Sequence, residues 1–372
     1  MTYSYRNFIL CKSVFNGLYR NGIMHIAFFL LFFSFALVAK AQTQVHEFKP
    51  SVSSDGVTYM LPKTKIRVKV RIVNTVYTPG EFSKYAERYL FVKDAIEEKR
   101  SEWSIEGISV DYIGVPDTSK VYTVKLKDKT VAPLVSLSDD GLLLSINEIV
   151  QSPVEEPLEA DKTEELNEDG RKYLTAEALA ASTVAKMAEV TSKEIYDIRD
   201  SKNELTRGKA DYMPQDGEAL KIMLQKLDTQ EKALVAMFTG NTVKSYTTKI
   251  VEIVPDSDIT DKIIFRFSRL LGMLDPDDLA GEPYSITVAD QHTVTMPTEE
   301  ELEKRKITGV VYNLPSKADV KISSGKNVVF SGEAPFGQFG TTDQLMPVLF
   351  NKDVQTKVKF NSVTGAVSDI QR

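Results

Sequence analysis

Residues 63–73 read KTKIRVKVRIV, so Lys63, Lys65, Arg67, Lys69 and Arg71 alternate with Thr64, Ile66, Val68, Val70 and Ile72. A period of two places the aliphatic residues on one face and the cations on the other. A helix would scatter both sets around its axis. The stretch therefore predicts a strand with one buried face, extending over residues 57–72. Thr78-Pro79-Gly80 ends it, because proline presets φ and glycine accepts a positive φ.

Alternate strand residues lie about 6.6 Å apart. Two unit charges at that separation repel by about 0.6 kcal/mol in water. Such a row is tolerable as a solvated face, and lysines also blunt exposed sheet edges against mispairing. Two further readings stand beside this one. The row can meet an acidic segment of the same chain. It can also form a surface about 26 Å long for acidic lipid headgroups, anionic glycan or an acidic protein. The five cations are therefore the candidate surface for an anionic partner, either an envelope protein or a glycan.

The destination of the chain is written near its start. Residues 26–39, IAFFLLFFSFALVA, are apolar except for Ser34. A membrane-spanning helix needs about 20 such residues. Ala39-Lys40-Ala41 places small residues where a signal peptidase accepts them, so residues 1–41 read as a cleavable signal peptide, with translation starting at Met1 or Met24. Cys11 precedes the apolar run, and cleavage would leave no cysteine, hence no disulfide and no thiolate chemistry. Cleavage also leaves 42 cations against 52 acids, a net charge of −10. That balance argues against nucleic acid as a partner. No transmembrane segment is expected in the mature chain.

With 372 residues, the chain can form two or three domains. A β-rich unit over 42–152 carries one amphipathic helix, whose stripe is Phe82, Tyr85, Ala86, Tyr89 and Leu90. Strands are expected at 105–113 and 121–126 around the turn-like PDTSK, and a hairpin at 134–146 around SDDG. Residues 153–169 hold eight acids and one lysine. They lack apolar periodicity, so 153–172 reads as an acidic linker. A unit over 173–298 begins with two helices, about 175–199 and 217–238, and continues with strands at 243–254, 262–267 and 284–288. The charged stretch 299–306 leads to a mostly antiparallel β part over 307–372. The fold class is α+β.

At this level the chain resembles a known family. YTPGEFSKYAERYL, EIYDIRDSKNELTRG, LFNKDV and DLAGEPY are similar to hallmark stretches of an uncharacterised secreted family of Bacteroides-type bacteria, the domain of unknown function 4831 family. The resemblance covers nearly all of the mature chain. It implies a location in a Gram-negative envelope, at the periplasm or the periphery of the outer membrane. It carries over no catalytic or binding residue.

Several chemistries lack support in the residues. Only His46 and His292 follow the signal segment, too few for a zinc hydrolase that draws three ligands from the protein. No GxSxG elbow and no phosphate-cradling glycine motif occurs. Thr183 and Lys186 have the spacing of a nucleophile–lysine pair but read as polar mid-helix residues. Asp275, Asp277, Asp278 and Glu282 in DPDDLAGE read as a helix cap in preference to a calcium loop, because Leu279 stands where a ligand would and the loop glycine is missing. No cofactor and no metal is implied. The role expected is non-enzymatic, structural or interactive. A glycan- or peptidoglycan-binding module is the alternative, and a carboxylate-dependent hydrolase comes third. Amino-terminal sequencing of the protein from an envelope fraction should begin at Gln42; an intact first segment on a membrane-embedded species would refute the cleavage.

Overall fold

The computed structural model describes residues 44–47, 56–125, 134–152, 157–165, 167–214, 216–350 and 356–372. The signal segment and Cys11 lie outside these residues, as does the side chain of His46. Three antiparallel sheets carry the fold. The first contains β1 (Gln44–Glu47), β2 (Val57–Thr78), β3 (Arg100–Lys125), β6 (Lys162–Glu165) and β7 (Asn241–Ile253), in the order β1-β3-β2-β7-β6. The second contains β8 (Ile259–Ser268), β9 (Gly272–Leu274), β10 (Glu282–Asp290), β11 (Val310–Ser324) and β12 (Asn327–Leu345), in the order β12-β11-β10-β8-β9. The third joins β4 (Val135–Leu137) and β5 (Leu143–Ile146) to β13 (Lys357–Phe360) and β14 (Val367–Gln371), in the order β14-β13-β5-β4. The α+β reading holds, and the strands dominate.

The alternation in residues 63–73 does what its period demands. Ile66, Val68, Val70 and Ile72 are 0–2 % exposed. They pack against Phe265, Ile286, Val288, Val320, Ile322 and Phe336 of the second sheet. Two aliphatic sheet faces thus close over each other as a sandwich. Phe336 sits at its centre, edge-on to Tyr112 at 5.9 Å and stacked on Phe339 at 5.1 Å. The start of β2 and the end of β3 overhang this core. There Tyr59, Leu61, Tyr122 and Val124 pack with Leu143, Ile146, Val358 and Phe360 of the third sheet.

Polar groups fasten these layers. Gln338 accepts from the backbone N–H of Thr64 at 2.7 Å and donates to its carbonyl at 2.8 Å. Its amide takes the place of a neighbouring strand where β7 pairing has not yet begun. Asn313 donates to the carbonyls of Pro62 and Thr364 at 3.0 and 2.8 Å. Gly114 lies so near the carbonyl of Ser362 that a Cβ would come within 1.9 Å of it.

The helices are α1 (Ala86–Leu90), α2 (Ala176–Leu179), α3 (Val184–Thr206), α4 (Gly217–Thr239) and α5 (Glu299–Lys304). Of these, α1, α3 and α4 form a separate apolar cluster beside the far end of the β2–β3 pair. Phe82, Ala86 and Leu90 meet Ile195 and Ile198 of α3 and Leu234, Met237 and Phe238 of α4. The expected helical pair is therefore present. Its first member is broken into α2 and α3, because Thr183 caps α3 by accepting from the backbone N–H of Lys186 at 3.2 Å. The amphipathic helix after Gly80 is a 3-10 turn at Ser83–Tyr85 followed by α1.

Other expectations need correction. PDTSK does not separate two strands. β3 runs through it as a bulge, with Met60 opposite Val121 and Pro62 opposite Pro116, and the Asp117 carboxylate accepts from the N–H and hydroxyl of Ser119. DPDDLAGE caps no helix. It is a turn in which Asp278 accepts from the N–H of Ala280 at 2.9 Å and Gly281 has φ 81°. Within the acidic stretch, residues 162–165 form the edge strand β6, paired with Val243–Tyr246. The hairpin around SDDG forms as expected, with Gly141 at φ 82°.

Two substitutions test the sandwich. Val68→Asp should prevent folding, since an unpaired carboxylate would lose its water in an apolar site. Phe336→Ala should cost about 3–5 kcal/mol in urea denaturation. A loss below about 1 kcal/mol would mean that this core is not the one that holds the sheets.

Candidate functional site

The five cations share the outer face of the first sheet, but neither as edge residues nor as a freely solvated row. β2 is a central strand with β3 on one side and β7 on the other. Edge protection therefore does not explain the lysines. Lys65, Arg67, Lys69 and Arg71 keep only 14–17 % of their side-chain surface accessible. Their stems lie across the neighbouring strands and their heads reach carboxylates.

The partners come from four segments. Lys63 Nζ lies 2.8 Å from Asp256 Oδ1, just beyond β7. Glu252 of β7 accepts from Lys65 Nζ at 2.7 Å and from Arg67 Nε at 2.9 Å. Lys69 pairs with Asp111 of β3. Register explains the choice, since Arg67 stands opposite both Asp111 and Glu252. Cross-strand pairs of opposite charge stabilise a sheet by a few tenths of a kcal/mol up to about 1 kcal/mol each. At the Lys63 end, the hydrogen bond to Asp256 raises the lysine's pKa. Nearby Lys120 is shifted the other way, by burial, with Asp117 opposing the shift.

Arg71 is held differently. Its Nη1 donates to Thr248 Oγ1 at 2.9 Å, and the guanidinium lies 5.6 Å from the centre of the Tyr246 ring. Glu159 Oε2 is 3.3 Å from Nε and Glu106 Oε2 is 3.8 Å away. Glu106 is the extra residue of a bulge, since Arg71 pairs with Gly107 and Ile72 with Ile105. Neither carboxylate has hydrogen-bonding geometry, and the buried Nε has no hydrogen-bond partner. Arg71 and Lys69, with Ser109, Thr248, Ile108 and Leu158, line a surface pocket of about 510 Å³. Residues 157–159 form one wall of it. The expected contact between the row and the acidic segment is thus made at Arg71, through Glu159.

The arrangement can hold an anion only by exchange. Five cations face Asp256, Glu252, Asp111, Glu106 and Glu159. An incoming carboxylate or phosphate must displace one of these acids, and the loosest are Glu159 and Glu106, which lie 3.3 and 3.8 Å from an Arg71 Nε that has no hydrogen-bond partner. The acids were not singled out from sequence. Asp111 and Glu252 do interrupt aliphatic runs in expected strands, which is a signal of cross-strand pairing, but register is needed to say with what.

Other candidates fall elsewhere. Thr183 is a helix cap, as described, so its spacing to Lys186 is structural. His292, 80 % exposed, lies beside Asp290 at 2.9 Å. Asp275, Asp277, Asp278 and Glu282 do not converge, and no group of three metal-ligating side chains occurs among the described residues. A second concavity of about 280 Å³ is lined by Glu81, Glu165, Glu168 and Asp169, with Arg171 bonded to Glu81 at 2.9 Å.

Glu252 gives this face a pH signature. Its hydrogen bond from Lys65 holds its pKa below the usual carboxylate range, with Arg67 adding to the effect and partial burial opposing it. A depressed folded-state pKa contributes stability above the ordinary carboxylate pKa, and that contribution is lost as pH falls through the folded value. Glu252→Gln should lower the melting temperature at pH 7 and narrow the difference between pH 7 and pH 3. An unchanged pH dependence would show that the pair is neutralised by solvent.

Comparison with known proteins adds one relation. A family described as Domain of unknown function (DUF4831) matches over residues 55–368. No curated protein and no solved structure matches the chain.

Proposed function

The chain belongs to the DUF4831 family, and from that premise we propose that it is an exported protein of a Gram-negative envelope with a non-enzymatic, structural or interaction role. The observation that carries this reading is the outer face of the first sheet. Five cations stand there on a central strand, held by carboxylates from β3, β7, the segment after β7 and the segment before β6. Such a face is preorganised: its charges are fixed in register by two ladders and need little ordering to meet a partner. It also favours specificity, since a partner must match the pattern of both signs.

Export is supported by the apolar run 26–39 and by Ala39-Lys40-Ala41. No helix among the described residues is long and apolar enough to cross a membrane. A hydrolytic role gains no such support. A general acid among carboxylates needs a raised pKa. The resolved shifts go the other way, as at Glu102, Glu189 and Glu333, each lowered by a basic side chain that donates to it. Nor is the lone tryptophan free to stack on a sugar. The Trp103 ring covers Gly272, where a Cβ would lie 3.1 Å from it, and the residue's backbone N–H donates to the Arg269 carbonyl, which fixes the chain beneath the ring.

The face is tested by neutralising it without reversing it. Lys65→Gln with Lys69→Gln leaves hydrogen-bonding groups beside Glu252 and Asp111, whereas glutamates there would face those acids directly. The double variant should fold, export normally and be released from washed envelopes at low salt, where the unchanged chain stays bound. Retention of both alike would remove the face as an interaction surface. Low salt is required because charges on a surface are screened beyond about 8 Å at physiological ionic strength.

A further inference from the structure

Two features adjoin the Arg71 pocket. The first is an open sheet edge. β7 has 13 residues, yet β6 pairs only with Val243–Tyr246. Among the described residues no strand covers residues 247–253 on the side away from β2. An uncovered edge of this length is a template for another extended chain. The second is what occupies the ground beside it. Residues 157–161, all exposed, lead into β6 without pairing with β7, and they meet Arg71 on the sheet face. There Arg71 donates to the carbonyls of Glu159 and Ala160 at 3.5 and 3.4 Å and faces the Glu159 carboxylate. Its Nε–H is buried without a hydrogen bond.

We propose that the β7 edge and the Arg71 pocket form a docking site for an extended acidic peptide of a partner protein, and that residues 157–165, PLEADKTEE, are a resident stand-in for it. This rests on the interaction role proposed above and names the partner's chemistry. The stand-in shows what the site recognises: backbone carbonyls and a carboxylate on one guanidinium. It also holds poorly. Its ladder is four residues long, and Lys162, Thr163 and Glu165 are exposed. A partner strand laid antiparallel on residues 247–253 would make a longer ladder. Residues opposite each other in such a ladder share a face. Side chains opposite Thr248 and Ile250 would therefore point to the side of Arg71 and Lys69, which stand opposite those two residues across β2. Acids at alternate positions of the partner would meet the cations, while Ile250, 39 % exposed, offers an apolar neighbour.

The stand-in is tethered, so it competes at high effective concentration and scales down the apparent affinity for any partner to the fraction of time the site is free. Removing it should expose the site. The test uses the full chain with residues 157–161 replaced by glycine and serine, and a fluorescent peptide PLEADKTEE as probe. Anisotropy should show binding at least about tenfold tighter than to the unchanged chain. Glu159→Gln with Glu164→Gln, a milder change that leaves the segment's length intact, should shift binding in the same direction. Arg71→Gln in either background should abolish it, and the peptide PLKAKKTKK, with lysine in place of each acid, should not bind. Absence of peptide binding to both folded variants overturns the proposal. So does binding of polygalacturonate in place of the peptide, which would assign the pocket to an acidic glycan. Dimerisation of the replaced chain without peptide binding overturns it in favour of edge-to-edge pairing of two copies. Envelope retention lost in Lys65→Gln/Lys69→Gln while the peptide fails to bind would remove this inference alone and leave the broader role standing.

Discussion

Burial of one face of β2 is the constraint on which the rest of the molecule depends. Ile66, Val68, Val70 and Ile72 leave water together, and only a second sheet is wide enough to cover them. The hydrophobic gain, about 1.5–3 kcal/mol for each fully buried aliphatic side chain, fixes the face of the strand. A slip of one residue would drive the five cations into the core. The register of β2 is therefore among the best determined features of the fold, and β3 and β7 inherit it through their ladders.

That decision has an electrostatic consequence. The same alternation that buries the aliphatic residues lines the cations on the other face, flanked on both sides. Their neighbours on β3 and β7 are then placed by register, and Asp111 and Glu252 arrive where the cations need them. The face is charged but nearly balanced. Each pair is partly exposed and adds little to stability alone. What the pattern supplies is a fixed arrangement of both signs, a property of a recognition surface more than of a stabilising one. Arg71 departs from it: its acids are exposed, loosely placed and drawn from a bulge and from the segment before an edge strand.

Long strands also couple the three apolar clusters. β2 and β3 pass from the third sheet through the sandwich to the cluster of α1, α3 and α4. Side-chain amides stand in where strands end, as Gln338 does against Thr64 and Asn313 against Pro62.

Several features were determined by the sequence alone. Period two in residues 63–73 required a strand with one buried face, SDDG required a hairpin, and helices were legible near 82–90, 175–199 and 217–238. These are local: each depends on side chains within one or two turns of chain. The second half of β12 is not legible in the sequence, because glycine and proline weaken a strand pattern and Gly332, Pro335, Gly337 and Gly340 interrupt this one. Gly337 and Gly340 in fact allow close backbone contact, and at Gly340 a Cβ would lie 1.8 Å from the Leu314 carbonyl. PDTSK read as a turn because bulges and turns use the same residues. Only the tertiary structure decided that β2 is central, that Glu252 serves both Lys65 and Arg67, and that β4 and β5 share a sheet with β13 and β14. Strand neighbours are chosen by contacts between residues far apart in the chain, and the energy of each cross-strand pair is too small, and too similar among candidates, to be read from one sequence.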